Sequence, residues 1–291
     1  MDTRKKRGAL HYMYHTAPGR LLLKTAAGRG VSRVCGAYLD SPLSRWLIAP
    51  FVKKHAVPLE DYLPARFGSF NEFFTRRIRP ELRPIPSEPE ALIAPCDGRL
   101  SAYRITEGAV IPIKQSAYTV SDLLGGDAAA ARYADGTCLV FRLCVDDYHR
   151  YCFPDAGRRL GGAFLPGELH TVRPVALERL PVFVRNCREY TVMETEHFGT
   201  VTQVEVGAML VGRIFNHPDR DRFVRGEEKG MFLYGGSTVV LLLEKDRAEL
   251  PEVLFADTDR GWETPVRMGQ ILGRAAVACG AGEVRADQRI S

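Results

Sequence analysis

Met231-Phe-Leu-Tyr-Gly-Gly-Ser-Thr-Val-Val-Leu-Leu-Leu-Glu244 sets a Gly-Gly-Ser-Thr step inside an apolar run. Its second half, Thr238–Leu243, is apolar and β-branched enough to read as a buried strand. Glycines carry no Cβ, so Gly235 and Gly236 can take backbone angles closed to other residues and leave the Gly236 carbonyl open to close approach. Ser237 then stands directly after a peptide bond that its own hydroxyl could attack. The alternative is a β-hairpin whose two-glycine turn joins two core strands.

Strands continue around this run. Thr137–Val145, Val201–Val206 and a hairpin of Val182–Val184 with Tyr190–Val192, joined across Arg185-Asn-Cys-Arg188, all carry the β-branched texture of sheet. Residues 9–83 read mainly as helix instead. Leu21, Leu22, Leu23, Val31, Val34 and Leu39 alternate with Arg20, Lys24, Arg29 and Arg33, and Leu43, Trp46, Leu47, Phe51 and Val52 lie beside Arg45, Lys53 and Lys54. Pro50 should break or kink the second of these segments. Ser69 followed by Glu72 is the capping-box signature of a further helix, and the proline-rich stretch 79–89 reads as a linker. The expected fold is α+β: a basic helical part, 1–83, on a β-rich, sandwich- or barrel-like catalytic body, 90–291.

The total charge of +5 is unevenly placed. Residues 1–83 hold 16 Lys and Arg against 6 Asp and Glu, a balance of +10, leaving −5 for the rest. Seven cysteines, an odd number with no C-x-x-C pair, speak against a disulfide framework and a zinc site and for a reducing compartment. No metal and no nucleic-acid partner are expected. Arg4-Lys-Lys-Arg7 is not followed by the unbroken apolar core of a signal peptide. The longest apolar stretch, 231–243, falls short of the roughly 20 residues that a membrane-spanning helix needs.

Two further segments carry chemistry that Ser237 could use. Asp97 lies in Ala94-Pro-Cys-Asp-Gly98, where Asp-Gly is also a common turn. His149 lies in Asp146-Asp-Tyr-His-Arg-Tyr-Cys-Phe-Pro154, and imidazole is suited to take a serine proton near neutral pH. An acid, an imidazole and a hydroxyl distant in sequence can meet once the chain folds.

At these residues the chain resembles the bacterial phosphatidylserine decarboxylases. The resemblance rests on Phe70-Asn-Glu-Phe-Phe-Thr-Arg76, Arg83-Pro-Ile85, Pro95-Cys-Asp-Gly98, Asp147-Tyr-His-Arg150, Leu165-Pro-Gly and Val172-Arg-Pro174. It runs on through Phe198-Gly, Val206-Gly-Ala208, Val211-Gly212, Lys229-Gly and Tyr234-Gly-Gly-Ser-Thr-Val239, and covers roughly residues 66–275. It implies a proenzyme that cleaves itself between Gly236 and Ser237 into a β chain, 1–236, and an α chain, 237–291, which remain together as a heterodimer and form homo-oligomers. Ser237 would become a covalent pyruvoyl cofactor, with Asp97 and a histidine as its partners. That group would form a Schiff base with the amine of phosphatidylserine and release carbon dioxide, giving phosphatidylethanolamine. The substrate and the basic N-terminal part together imply a peripheral protein on the anionic cytoplasmic face of the cell membrane.

The family pattern has a second histidine where this chain has Cys152. Three readings stay open: His149 serves both steps, Cys152 or His170 substitutes as base, or processing is slow. Protonation of an ordinary thiol at neutral pH favours His149. A related phospholipid headgroup as substrate, or an unprocessed lipid-binding homologue, are the alternative functions. Arg142, Arg150 and Arg173 are the basic residues close to the motifs.

Overall fold

The computed structural model describes residues 16, 18, 29–63, 66–106, 110–113, 116–126, 128–168, 182–207, 213–218, 221–234 and 237–276. Among the described residues, the α-helices of the N-terminal part are α1 (Arg29–Asp40), α2 (Ile48–His55) and α3 (Phe70–Phe74). Pro50 sits in the first turn of α2, where the amide that proline lacks has no intrahelical partner, so the helix runs through it. The capping-box signature also appears: Ser69 Oγ accepts from the Glu72 amide at 3.1 Å, while the Glu72 carboxylate accepts from the Gly68 amide. Leu21–Leu23 lie outside the described residues.

The strands that position the site are β1 (Gly98–Arg104), β2 (Thr137–Leu143), β3 (Arg150–Cys152), β4 (Gly157–Leu165), β5 (Arg188–Thr195), β6 (Gly199–Gly207), β7 (Ile214–Asn216), β8 (Arg222–Phe223), β9 (Glu228–Phe232), β10 (Ser237–Leu243) and β11 (Thr264–Val266). Eight of them form an antiparallel sheet in the order β8-β4-β5-β6-β10-β2-β1-β11, and β7-β9-β3 form a separate one. The fold is α+β.

β10 decides this arrangement. It is buried at every residue and flanked by β6 and β2, each paired with it over its full length. Its even positions, Val240 and Leu242, join a core with Val140, Val204, Tyr118 and Phe183. Its odd positions, Val239, Leu241 and Leu243, join another with Phe141, Met193, Tyr151 and Phe232, the last two from the small sheet. A third core ties α1 and α3 to the body through Leu39, Phe70, Phe73, Phe74 and Tyr148, with Tyr234 packed against it.

Two expectations change. Residues 231–244 are not a hairpin, because β9 and β10 belong to different sheets. Val182–Arg185 form a short helix, not a strand. There Arg188 donates to the carbonyls of Leu123, Val184 and Asn186, which ties the 184–188 segment down as a turn, and β5 makes its hairpin with β6 instead.

The stretch 79–89 is a strap bound to the body. Arg225 donates to the carbonyls of Pro86, Glu88, Pro89 and Ala91. Gly269, at φ +84°, admits the strap closely, since a Cβ there would stand 2.6 Å from the Pro84 carbonyl oxygen.

A buried ion pair braces the two sheets. Lys229 Nζ on β9 donates to both oxygens of Glu205 on β6 at 2.9 Å, and to Asn216 Oδ1 at 3.1 Å. Gln203 Nε2 adds a bond to Glu205 Oε1 at 3.0 Å. Removing one charge strands the other, so Lys229→Met should cost about 3–5 kcal/mol in urea unfolding. A loss within about 0.5 kcal/mol, the range of a surface substitution, would contradict the bracing role.

Candidate active site

Register brings the candidate residues to one end of the large sheet. Ser237 opens β10 opposite Leu143, the last residue of β2, and Gly207, the last of β6. β1 pairs with β2 from Arg99 opposite Arg142, so Asp97 and the turn after Leu143 emerge at the same end. Two strand spacings, about 10 Å, separate the backbones of β1 and β10. Gly98 permits the close start of β1, because a Cβ there would lie 2.9 Å from the Arg142 carbonyl oxygen. Gly235 and Gly236 lie outside the described residues, as do His170 and Arg173.

By the two-residue period of a strand, Ser237 faces the same side as Val239 and Leu241, the side covered by β3 and β9. It is fully buried, and its Oγ has no hydrogen-bond partner among the described residues. An unmade hydrogen bond in the interior costs roughly 1–3 kcal/mol, so this hydroxyl is held there at an energetic cost.

His149 sits at the end of the turn that follows β2. The Asp147 carboxylate closes this turn by accepting from the Cys144 amide at 2.6 Å. The His149 carbonyl accepts from the Phe232 amide at 2.9 Å, which binds the histidine to the strand leading towards Ser237. Its ring lies 4.1 Å from that of Phe74, and Phe74 in turn lies 5.0 Å from Tyr234. Burial pushes the imidazole pKa down to about 3, and the Arg76 cation adds to this against the hydrogen bond to Asp147. The ring is therefore neutral at physiological pH. Nδ1 lies 2.8 Å from the Asp147 carbonyl oxygen, which can only accept, so Nδ1 carries the proton. Nε2 is left with a bare lone pair, buried and without a partner among the described residues.

Asp97 is engaged elsewhere. Its Oδ1 accepts from Arg83 Nε at 2.8 Å and from the Met268 amide at 2.9 Å, and its Oδ2 accepts from Arg83 Nη2. Asp97, His149 and Ser237 share an end of the sheet but make no hydrogen bonds with one another. Cys152 ends β3, buried, with its amide bound to the Pro95 carbonyl at 2.8 Å. Burial raises its thiol pKa to about 12, so it stays protonated and is a poor base.

Among the arginines near the motifs, Arg142 is paired with Glu263 and Arg150 with Glu228, so both are tied into the frame. Arg83 is the residue that sequence reasoning passed over as chemistry. Its Arg-Pro-Ile context marks a motif, but nothing local to it points to Asp97, fourteen residues on.

The geometry fixes the imidazole tautomer, which nuclear magnetic resonance of ring-labelled histidine can read. The His149 signals should remain those of the neutral Nδ1–H form from pH 8 down to pH 5, well above its lowered pKa. Titration with a midpoint near the ordinary histidine value of about 6.5 would contradict the buried, neutral base.

Comparison with known proteins converges on one family. The family model described as phosphatidylserine decarboxylase matches residues 70–274. The chain is 40% identical over 269 residues to a phosphatidylserine decarboxylase proenzyme 2 of Clostridium acetobutylicum, covering 92% of each chain. It is 38% identical over 270 residues to a phosphatidylserine decarboxylase proenzyme of Ruminiclostridium cellulolyticum, covering 91% of this chain and 90% of that one. A proenzyme of the same name from Clostridium tetani is 34% identical, with 91% of both chains covered. With identity of this order along nearly the whole length, the chain belongs to the phosphatidylserine decarboxylase family and is a carboxy-lyase.

Proposed function

We propose that this chain cleaves its own Gly236–Ser237 bond and then converts phosphatidylserine to phosphatidylethanolamine and carbon dioxide. The observation that carries the reading is the pair of buried, complementary atoms without partners among the described residues, Ser237 Oγ and His149 Nε2, at one end of the sheet. A hydroxyl that must lose a proton and a neutral imidazole nitrogen that can take one are the two parts that the first step needs.

In that step Ser237 Oγ attacks the Gly236 carbonyl carbon while its proton passes to His149 Nε2. The peptide C–N bond then breaks, the Ser237 nitrogen takes up the proton, and an ester remains. Removal of the Ser237 α-proton expels the Gly236 carboxylate by β-elimination. The dehydroalanine left behind tautomerises to an imine, which takes up one water and releases ammonia. The products are a β chain, 1–236, and an α chain, 237–291, beginning with a pyruvoyl group.

Ser237 suits that conversion, being buried, first in its strand and without a side-chain partner among the described residues. The pyruvoyl group supplies a ketone for the substrate amine and an electron sink for the carbon–carbon bond that breaks. Phe70, Phe74 and Tyr234 pack together beside His149, and this aromatic wall keeps water from the reacting end of β10. His149 Nε2 moves protons there in both stages.

The N-terminal part, 1–83, is read as the membrane-associating region of a catalytic body spanning 90–291. Val34 on α1, and Leu43 and Trp46 in the turn before α2, are 71%, 76% and 65% exposed; that turn also carries Arg45, and α2 carries Lys53 and Lys54. Apolar side chains standing in water among cations suit the interface of an anionic bilayer. No helix among the described residues is long and apolar enough to cross a membrane. A cavity of about 340 Å³ lies between this layer and the site, lined by Leu39, Leu47, Phe51, Lys54, Phe70 and Tyr234. It offers a lipid in the bilayer a route towards the strand end at Ser237. A peripheral place on the cytoplasmic face accords with Cys35, Cys96, Cys138, Cys144 and Cys152, which form no disulfide among the described residues.

Release of labelled carbon dioxide from phosphatidylserine vesicles tests the catalytic reading. Ser237→Ala should release none, and His149→Ala should be slower by about 10²–10⁴-fold, the usual worth of a general acid–base. Wild-type turnover in His149→Ala would contradict the assignment. Vesicle co-sedimentation tests the surface: binding to anionic vesicles should weaken steadily from low to high salt, as ions screen the basic layer. Binding indifferent to salt would count against it.

A further inference from the structure

Asp97 is expected to serve Ser237, yet the structure gives it to Arg83. The two side chains are each only 10% exposed and meet in a two-point contact, Nε to Oδ1 and Nη2 to Oδ2. The third face of the guanidinium is also used, since Nη1 donates to the Leu82 carbonyl at 2.7 Å. Arg83 belongs to the strap, whose next residues are gripped by Gly269 and by the four carbonyl contacts of Arg225. The arginine is thus anchored at its backbone and oriented at its head.

A carboxylate has about four acceptor sites, two on each oxygen. On Asp97, Arg83 Nε and the Met268 amide fill both sites of Oδ1, and Arg83 Nη2 fills one of Oδ2. One site on Oδ2 remains. A free carboxylate would rotate and present either oxygen; this one cannot, because a two-point guanidinium contact fixes its plane. The strand register brings Asp97 to the end of the sheet where Ser237 begins β10.

We propose that Arg83 is a positioning residue for self-cleavage, holding the Asp97 carboxylate so that a single Oδ2 acceptor site is left for the Ser237–His149 pair. This rests on the self-cleavage reading above. It also gives the strap a purpose beyond covering the body: the strap delivers one cation to one carboxylate. Lysine could supply the charge at position 83 but not the two-point contact, so the geometry distinguishes a positioning role from simple neutralisation.

The test is the rate at which the 55-residue chain appears after a pulse of synthesis of the full chain, with melting temperature measured alongside. Arg83→Ala should cleave about 30-fold more slowly, the order expected for loss of a charge-assisted contact in the transition state. Added guanidinium at millimolar concentration should restore much of the rate by occupying the vacated place, a recovery that a purely structural role would not produce. Cleavage of Arg83→Ala at the wild-type rate overturns the proposal. So does slow cleavage in a folded Arg83→Ala that guanidinium leaves unchanged. If Arg83→Ala does not fold, Arg83→Lys decides: cleavage slowed about 10-fold in a folded chain supports positioning, and the wild-type rate overturns it. Asp97→Asn in parallel separates the two readings. Wild-type chain that never cleaves removes the self-cleavage reading and this inference with it. Wild-type chain that cleaves, with Asp97→Asn blocked and Arg83→Ala unaffected, removes this inference alone.

Discussion

Burial of β10 on both faces is the constraint from which the site follows. A central strand that packs one core through Val240 and Leu242 and another through Val239 and Leu241 is buried at every residue. Its first residue, Ser237, inherits that environment, and its hydroxyl is left without a partner among the described residues. Proteins pair nearly all buried polar groups, so a strand that begins on an unpaired serine holds it there at a cost in stability. The reaction proposed for Ser237 removes that hydroxyl altogether and leaves a ketone, which has no proton to place.

The same burial sets the electrostatics. Burial makes the imidazole of His149 a neutral base with its lone pair on Nε2, and makes the thiol of Cys152 a protonated bystander. One environment thus leaves His149 able to take a proton and Cys152 not, while His170, the third candidate, lies outside the described residues. The carboxylates are managed differently. Asp97 is held by Arg83, and Glu205 by Lys229, so that these two buried carboxylates each have a cation. The neutral group is the one left free to exchange a proton.

Legibility from sequence followed the range of the interactions. The strands at Thr137–Leu143, Gly199–Gly207 and Ser237–Leu243 were readable because an apolar, β-branched run is a local signal. So was the start of α3, where Ser69 and Glu72 are three residues apart. Val182–Val184 misled because Arg188 joins the nearby Val184 carbonyl to the distant carbonyls of Asp122 and Leu123, and no propensity records that. The strap was read as a linker from its prolines; what fastens it is Arg225, more than a hundred residues away. The candidates Ser237, Asp97 and His149 could be picked out by residue type and motif. That Asp97 answers to Arg83, and that Cys152 is too buried to ionise, are consequences of packing.

The most direct test of the account is the mass of the purified chain under denaturing conditions. It predicts two polypeptides divided at the 236–237 bond, the smaller beginning with a ketone-blocked residue derived from Ser237. An intact chain of 32.4 kDa that stays whole on prolonged incubation would contradict it.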